Sequence, residues 1–280
     1  MWTSTPGMIG FVEPSSLRAF EPSSLRAFEP SILRALHPSN PPASMKDAWR
    51  HFAAEFIGTF ALVFIGGGAI ITSPMLQVQA AVVNIAFAHG LILALMVTAT
   101  MRISGHLNPA VTAGFLVTRR IEPMMAVVYW IAQLTGAVVA AYLLKALYPA
   151  NIVAVTRLGG QSISADINLL QAVALEAIAT FFLVFVVFGT AVDPRGPKVG
   201  GFAIGLTVTA GILGIGPLTG GSMNPARSFG PALVMQIFEG QTAYWVGPLL
   251  GGIVAALLYD RLFLPREPEP ADHGTVQPSP

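Results

Sequence analysis

Cysteine is absent from the 280 residues, so neither a disulfide nor a thiolate nucleophile is available. Charge is scarce too: Asp, Glu, Lys and Arg make up 10% of the chain, where a soluble globular protein carries about 25%. A formal net charge of +1 offers no field to gather nucleic acid or acidic substrates. The five histidines (His37, His51, His89, His106, His273) show no HExxH or comparable metal-ligand spacing. No metal, cofactor or nucleic-acid partner is expected, and nothing here proposes an enzyme. What fills the chain is apolar, 54% hydrophobic residues, the balance of a protein whose partner is a lipid bilayer.

A membrane-spanning helix needs about 20 mostly apolar residues. Six stretches qualify, at 52–72, 79–101, 123–147, 168–192, 199–217 and 241–263. Two apolar segments, 108–118 and 224–235, are too short to cross about 30 Å at 1.5 Å per residue. Lys46, Arg50, Arg102, Arg119, Arg120, Arg195, Lys198, Arg261 and Arg266 fall on one side of such a layout, and Lys145, Arg157 and Arg227 on the other. This bias predicts a multi-pass protein with both termini in the cytoplasm, in the cell (inner) membrane.

The ends follow another rule. EPSSLRAF (13–20) recurs at 21–28 and, as EPSILRAL, at 29–36. A proline in every copy and little to bury predict a disordered extension over 1–45, with Met45 as a candidate start. A disordered tail is expected over 265–280. Between them a single membrane domain is expected at 46–264.

That domain is written twice. EFIGTFALVF begins at Glu55 and EAIATFFLVF at Glu176; HLNPAVTAG (106–114) is matched by SMNPARSFG (222–230). Each Asn-Pro-Ala follows its glutamate by a similar distance, 53 residues from Glu55 to Asn108 and 48 from Glu176 to Asn224. The halves, 46–147 and 168–264, hold three spans apiece. Three is odd, so the second half enters the membrane from the opposite side and the halves form an inverted repeat. The two short helices then start from opposite faces and can meet near the midplane.

Asn-Pro-Ala suits a helix that begins inside a membrane. Exposed N–H groups are costly there; asparagine caps them, and proline at the next position has none to satisfy. Ala110 and Ala226 let the two tips, Asn108–Pro109 and Asn224–Pro225, come close. The asparagine NH₂ groups remain to donate to a permeant, and two positive helix ends oppose cations. Arg227, one turn into the second short helix, would add a fixed charge at a constriction.

Paired Asn-Pro-Ala motifs and the two Glu-x-x-x-Thr-Phe segments resemble the aquaporin (major intrinsic protein) family over about residues 48–264. The resemblance implies an all-α, right-handed bundle of six transmembrane helices and two re-entrant half-helices. It also implies one pore per subunit and a homotetramer. It places Arg227 in an outer selectivity filter. Local matching adds His89, Ile212 and Gly221, a set similar to plant tonoplast aquaporins that conduct ammonia as well as water. ISGHLNPA is one residue shorter than the family's stretch; a gap placed elsewhere than in this loop would put Ala88 in the filter instead of His89. Glycerol facilitators carry other residues where this chain has Ser228, Ala232, Tyr244 and Trp245.

Glu55 and Glu176 are intramembrane carboxylates. Either they accept from the backbone of the re-entrant loops, as their symmetry favours, or they couple protons in a secondary transporter. His106 is expected to brace its loop. The function expected is a passive channel for water and ammonia that excludes protons and ions. A proton-coupled transporter, a glycerol-type facilitator and a non-conducting junction protein of the same fold are the alternatives.

Overall fold

The computed structural model describes residues 47–76 and 81–265. The octapeptide repeats, the candidate start Met45, Lys46, Arg266 and the tail lie outside them. Six long helices carry the expected spans: α1 (Ala48–Thr72), α2 (Ala81–Thr100), α4 (Pro123–Leu147), α6 (Leu169–Val187), α7 (Gly200–Thr219) and α9 (Gln241–Leu262). Each is long and apolar enough to cross a membrane, α6 continuing as a π-turn over Phe188–Val192. The two short apolar segments are α3 (Pro109–Val117) and α8 (Pro225–Met235). Among the described residues there is no strand.

The connection between the halves holds more structure than its composition indicates. A short helix α5 (Ala150–Val155) starts after Pro149, and a 3₁₀ turn follows at Arg157–Gly159. Arg157 and Leu158 both take left-handed backbone angles, φ 49° and 58°. Leu158 is buried in a small cluster with Ile71, Leu144 and Val234. This apolar anchor holds the loop down on the helices.

Packing follows the inverted repeat. α1 lies on α4 as α6 lies on α9, and α2 meets α7 across the centre. Each half-helix packs mainly on the third span of the other half, α3 on α9 and α8 on α4. Contact is close because small residues sit where backbones cross, the usual route to helix association in lipid. Gly136 of α4 lies against the Phe56 carbonyl, and Gly251 of α9 against the Ala177 carbonyl. These carbonyls belong to the residues just after Glu55 and Glu176, so the crossings fix both glutamates. Outward faces carry Leu95, Leu170, Phe182 and Phe202, side chains suited to lipid.

One end of the bundle is tied by polar contacts. Arg120 pairs with Asp260 at 2.8 Å. Asp193, in the α6–α7 loop, accepts from Arg195 through both carboxylate oxygens, and Arg195 also donates to the Phe263 carbonyl. The Arg195 hydrogen bond holds the Asp193 carboxyl down to about 2. A depressed carboxylate contributes stability above its unfolded pKa and loses it only as pH falls through the folded value. Hydrogen exchange of the 193–198 amides, corrected for intrinsic rates, is therefore expected to be unchanged between pH 8 and pH 5 and to rise in Asp193→Asn. Gly251→Ala is expected to destabilise by about 1–3 kcal/mol through overpacking, read as a lower thermal midpoint in detergent. Gly214→Ala, where an added Cβ meets open space, is expected to leave the midpoint in place.

Candidate functional site

The half-helix tips meet at the middle of the bundle. Asn108 caps α3 by accepting from Ala110 N at 2.9 Å, and Asn224 caps α8 by accepting from Ala226 N at 3.0 Å and Arg227 N at 3.3 Å. Pro109 and Pro225 occupy the first helical position in each, where a missing N–H costs nothing. The amide nitrogens cross over: Asn108 Nδ2 donates to the Met223 carbonyl at 2.7 Å and Asn224 Nδ2 to the Leu107 carbonyl at 2.8 Å. One N–H of each NH₂ group is thus committed to the other half, and one remains.

The carbonyls point the right way because Leu107 and Met223 adopt left-handed angles, φ 50° and 52°. For a non-glycine residue this costs about 1–2 kcal/mol. The glutamates offset it. Glu55 accepts from the backbone of His106 at 2.8 Å and Leu107 at 2.7 Å, from Gln133 Nε2 at 2.6 Å and from the Ser104 hydroxyl. Glu176 accepts from the backbone of Ser222 at 2.8 Å and Met223 at 2.7 Å, and from Thr219 Oγ1 at 2.7 Å. The two loops are braced alike inside: His106 Nδ1 bonds Thr112 Oγ1 at 3.1 Å, and Ser222 Oγ bonds Ser228 Oγ six residues on.

A narrow lumen runs past these tips. Its lining combines apolar side chains, Leu62, Leu93, Val111, Leu183, Val187, Ile204, Val208 and Met223, with Gly105 and the polar residues His106, Asn108, Ser222, Asn224 and Arg227. A mostly apolar lining with a few polar groups can offer a small polar molecule hydrogen bonds without binding it tightly. Pro109, Ala110, Pro225 and Ala226 lie behind the asparagines and do not line it.

Of the expected filter residues, three come together. Arg227 Nη1 donates to the Gly221 carbonyl at 3.1 Å, and Gly221 packs on Ile212. At φ 55°, a Cβ on Gly221 would turn toward the Ile212 backbone. What Gly221 supplies is therefore a carbonyl rather than space for a side chain. His89 lies on the buried side of α2 while Ala88 is partly exposed. Its ring rests on Gly66 of α1, and its Nδ1 donates to the Ile85 carbonyl at 2.8 Å. A carbonyl only accepts, so Nε2 is the free nitrogen. His89 makes no hydrogen bond to the other three residues, and neither it, Ile212 nor Gly221 lines the lumen described above.

Sequence reasoning passed over several residues. Gln133, a lone amide in the apolar α4, could have been flagged as an intramembrane polar group. Tyr244, noted only as a family marker, donates its hydroxyl to the Thr219 carbonyl at 2.9 Å behind Glu176. Gln161, in the loop between the halves, reaches Arg227; its local sequence carries no signal of this. Among the described residues no group of three His, Cys, Asp or Glu side chains could hold a metal ion.

Comparison with known proteins agrees with this architecture. Residues 43–259 match the model of the family described as "Major intrinsic protein". The chain is 41% identical over 250 residues to "Probable aquaporin TIP3-2" of Arabidopsis thaliana, covering 84% of this chain and 92% of that one. It is 45% identical over 224 residues to "Aquaporin TIP2-1" of the same plant, covering 77% and 88%. Against "Aquaporin TIP1-2" of Zea mays it is 42% identical over 80% of this chain and 90% of the other. Among solved structures it superposes on the aquaglyceroporin from Plasmodium falciparum with a TM-score of 0.69 at 26% identity, covering 77% and 96%. With the repeated half, the paired capped tips and these relatives together, the chain belongs to the major intrinsic protein (aquaporin) family.

Proposed function

We propose that the protein is a passive water channel that also passes ammonia and excludes protons and ions, with one pore in each subunit of a homotetramer. The observation that carries this is the pair of asparagine caps on opposed half-helices in one narrow lumen, each with an N–H not used by the scaffold. A passing water accepts from these donors, and two helix N-termini, each worth about half a positive charge, oppose a cation or a hopping proton there. The buried Arg227 places a fixed positive charge beside the lumen.

In this reading His89, Ile212, Gly221 and Arg227 form the outer selectivity filter, distinct from the cavity at the asparagine tips, which of the four only Arg227 lines. The free Nε2 of His89 can accept from ammonia, and Ile212 keeps that wall apolar. Glu55 and Glu176 serve the scaffold, since the loops already fill them with donors. Excess arginine and lysine at the inner ends of the helices favours cytoplasmic termini. Ser228 is engaged with Ser222, and Tyr244 with Thr219, an arrangement that supports water over glycerol.

Proteoliposomes test both permeants at once. Osmotic shrinkage is expected to be faster than in empty vesicles and to produce no uphill solute movement under an imposed pH gradient. Luminal alkalinisation after addition of an ammonium salt is expected to be accelerated as well. In His89→Phe the ammonia signal is expected to fall at least about tenfold, corresponding to 1.4 kcal/mol, while shrinkage persists. Rapid shrinkage with no accelerated alkalinisation in the parent protein would leave a water channel and remove ammonia.

A further inference from the structure

Three glycines in succession, Gly66, Gly67 and Gly68, sit in the C-terminal half of α1. A glycine in a helix interior costs stability relative to alanine, so each calls for a neighbour too close to admit a Cβ. At Gly67 that neighbour is the Leu144 side chain, and at Gly68 the end of the Tyr148 side chain. At Gly66 it is the imidazole of His89. An added Cβ there would overlap Cδ2 and Nε2 and come within 2.8 Å of Cε1. The ring is not free to step aside, because its Nδ1 donates to the Ile85 carbonyl at 2.8 Å.

The inverted repeat tells where this contact lies. Leu62 and Gly66 follow Glu55 by seven and eleven residues, as Leu183 and Val187 follow Glu176. AHGL (88–91) matches AIGL (203–206), so His89 corresponds to Ile204 and Leu93 to Val208. The helices keep the same register: Gly90 and Gly205 face each other, and a Cβ on either would meet the other's carbonyl.

Leu62 and Leu183 both line the lumen, and so do Leu93 and Val208. Val187 and Ile204 line it as well, and their counterparts are Gly66 and His89. The pseudo-twofold relation of the halves therefore carries the lumen wall on, past the asparagine tips, to the glycine and the histidine. On one side of the tips the wall is a valine and an isoleucine. On the other, the same two positions hold no side chain and an imidazole.

We infer that Gly66 is a specificity-determining position for ammonia. It seats the His89 ring on the α1 backbone and leaves the Nε2 edge uncovered. Ring and permeant share the volume that Val187 fills in the other half. A methyl at position 66 covers Nε2 or drives the ring off its seat, and in both cases ammonia loses its acceptor. The inference rests on the reading of the chain as a channel with His89 in its filter.

The test uses the full chain in proteoliposomes. Osmotic shrinkage and luminal alkalinisation after an ammonium salt are recorded on the same vesicles, so their ratio does not depend on how much protein assembled. Gly66→Ala is expected to lower the ammonia-to-water ratio about tenfold, the order set by one overpacked methyl. Gly68→Ala makes the same change in helix propensity and is expected to stay within about twofold of the parent. Gly66→Val is expected to lose shrinkage, by blockage or by failed assembly. Adding His89→Ile to it, which copies the pair of the other half, is expected to restore assembly and shrinkage without accelerated alkalinisation. This second pair of variants decides the matter even where Gly66→Ala does not assemble. A Gly66→Ala ratio equal to the parent's, or an equal shift in Gly68→Ala, would overturn the proposal. So would a valine–isoleucine pair that fails as Gly66→Val does, because the glycine would then serve something other than His89. A parent whose vesicles shrink no faster than empty ones, or shrink without accelerated alkalinisation, would instead overturn the channel or the ammonia reading on which the proposal rests.

Discussion

The structure depends on one constraint: a helix that begins inside a bilayer exposes N–H groups where there is no water to accept them. Two buried carboxylates meet that constraint. Glu55 and Glu176 take the backbone N–H groups of residues 106–107 and 222–223, and the asparagine side chains take the next ones. Neither carboxylate could do this without a fixed position. Gly136 and Gly251 provide it by letting α4 and α9 press against the backbone beside each glutamate. The repeat in the sequence is thus a repeat of one solution to a solvation problem, applied once from each face of the membrane.

The same solution accounts for the chemistry of the lumen. Capping groups aimed inward leave a few donors facing an otherwise apolar wall, and the two positive helix ends come together because the tips must. In the proposed reading, discrimination falls to the end of the lumen where Arg227 is held by the Gly221 carbonyl of its own loop. Transport through such a site would need no moving part. The helix ends at Asp193, Arg195 and Asp260 are tied to their neighbours by ion pairs and hydrogen bonds.

Much of this was legible in the residues. Span positions, the inverted repeat and the half-helices follow from length, apolarity and the spacing of Glu and Asn-Pro-Ala, all of them local or periodic signals. Helix ends agreed closely wherever proline or asparagine marked them, as at Pro109, Pro123 and Pro225. The α4–α6 connection was not legible. Its short helix, its left-handed Arg157 and Leu158 and its contact with Arg227 depend on what the loop lands on, which no local pattern encodes. The left-handed Leu107 and Met223 were equally hidden, because leucine and methionine disfavour that conformation and only the carboxylates and crossed amides hold them there. Gly221, assigned by family matching alone, contributes a carbonyl to Arg227, and its missing side chain makes room for Ile212 of α7.

The crossed amides also bear on how the chain is made. Asn108 donates to a carbonyl of residue 223, and Leu107 accepts from residue 224. While the ribosome is still extending the second half, the first therefore carries an unpaired amide and an unpaired carbonyl at membrane depth. The re-entrant segment gains these two partners only after more than a hundred further residues have been inserted. Synthesis of this protein passes through a stage in which the first half is threaded but unfinished. Its completion is a docking event between two pieces of one chain.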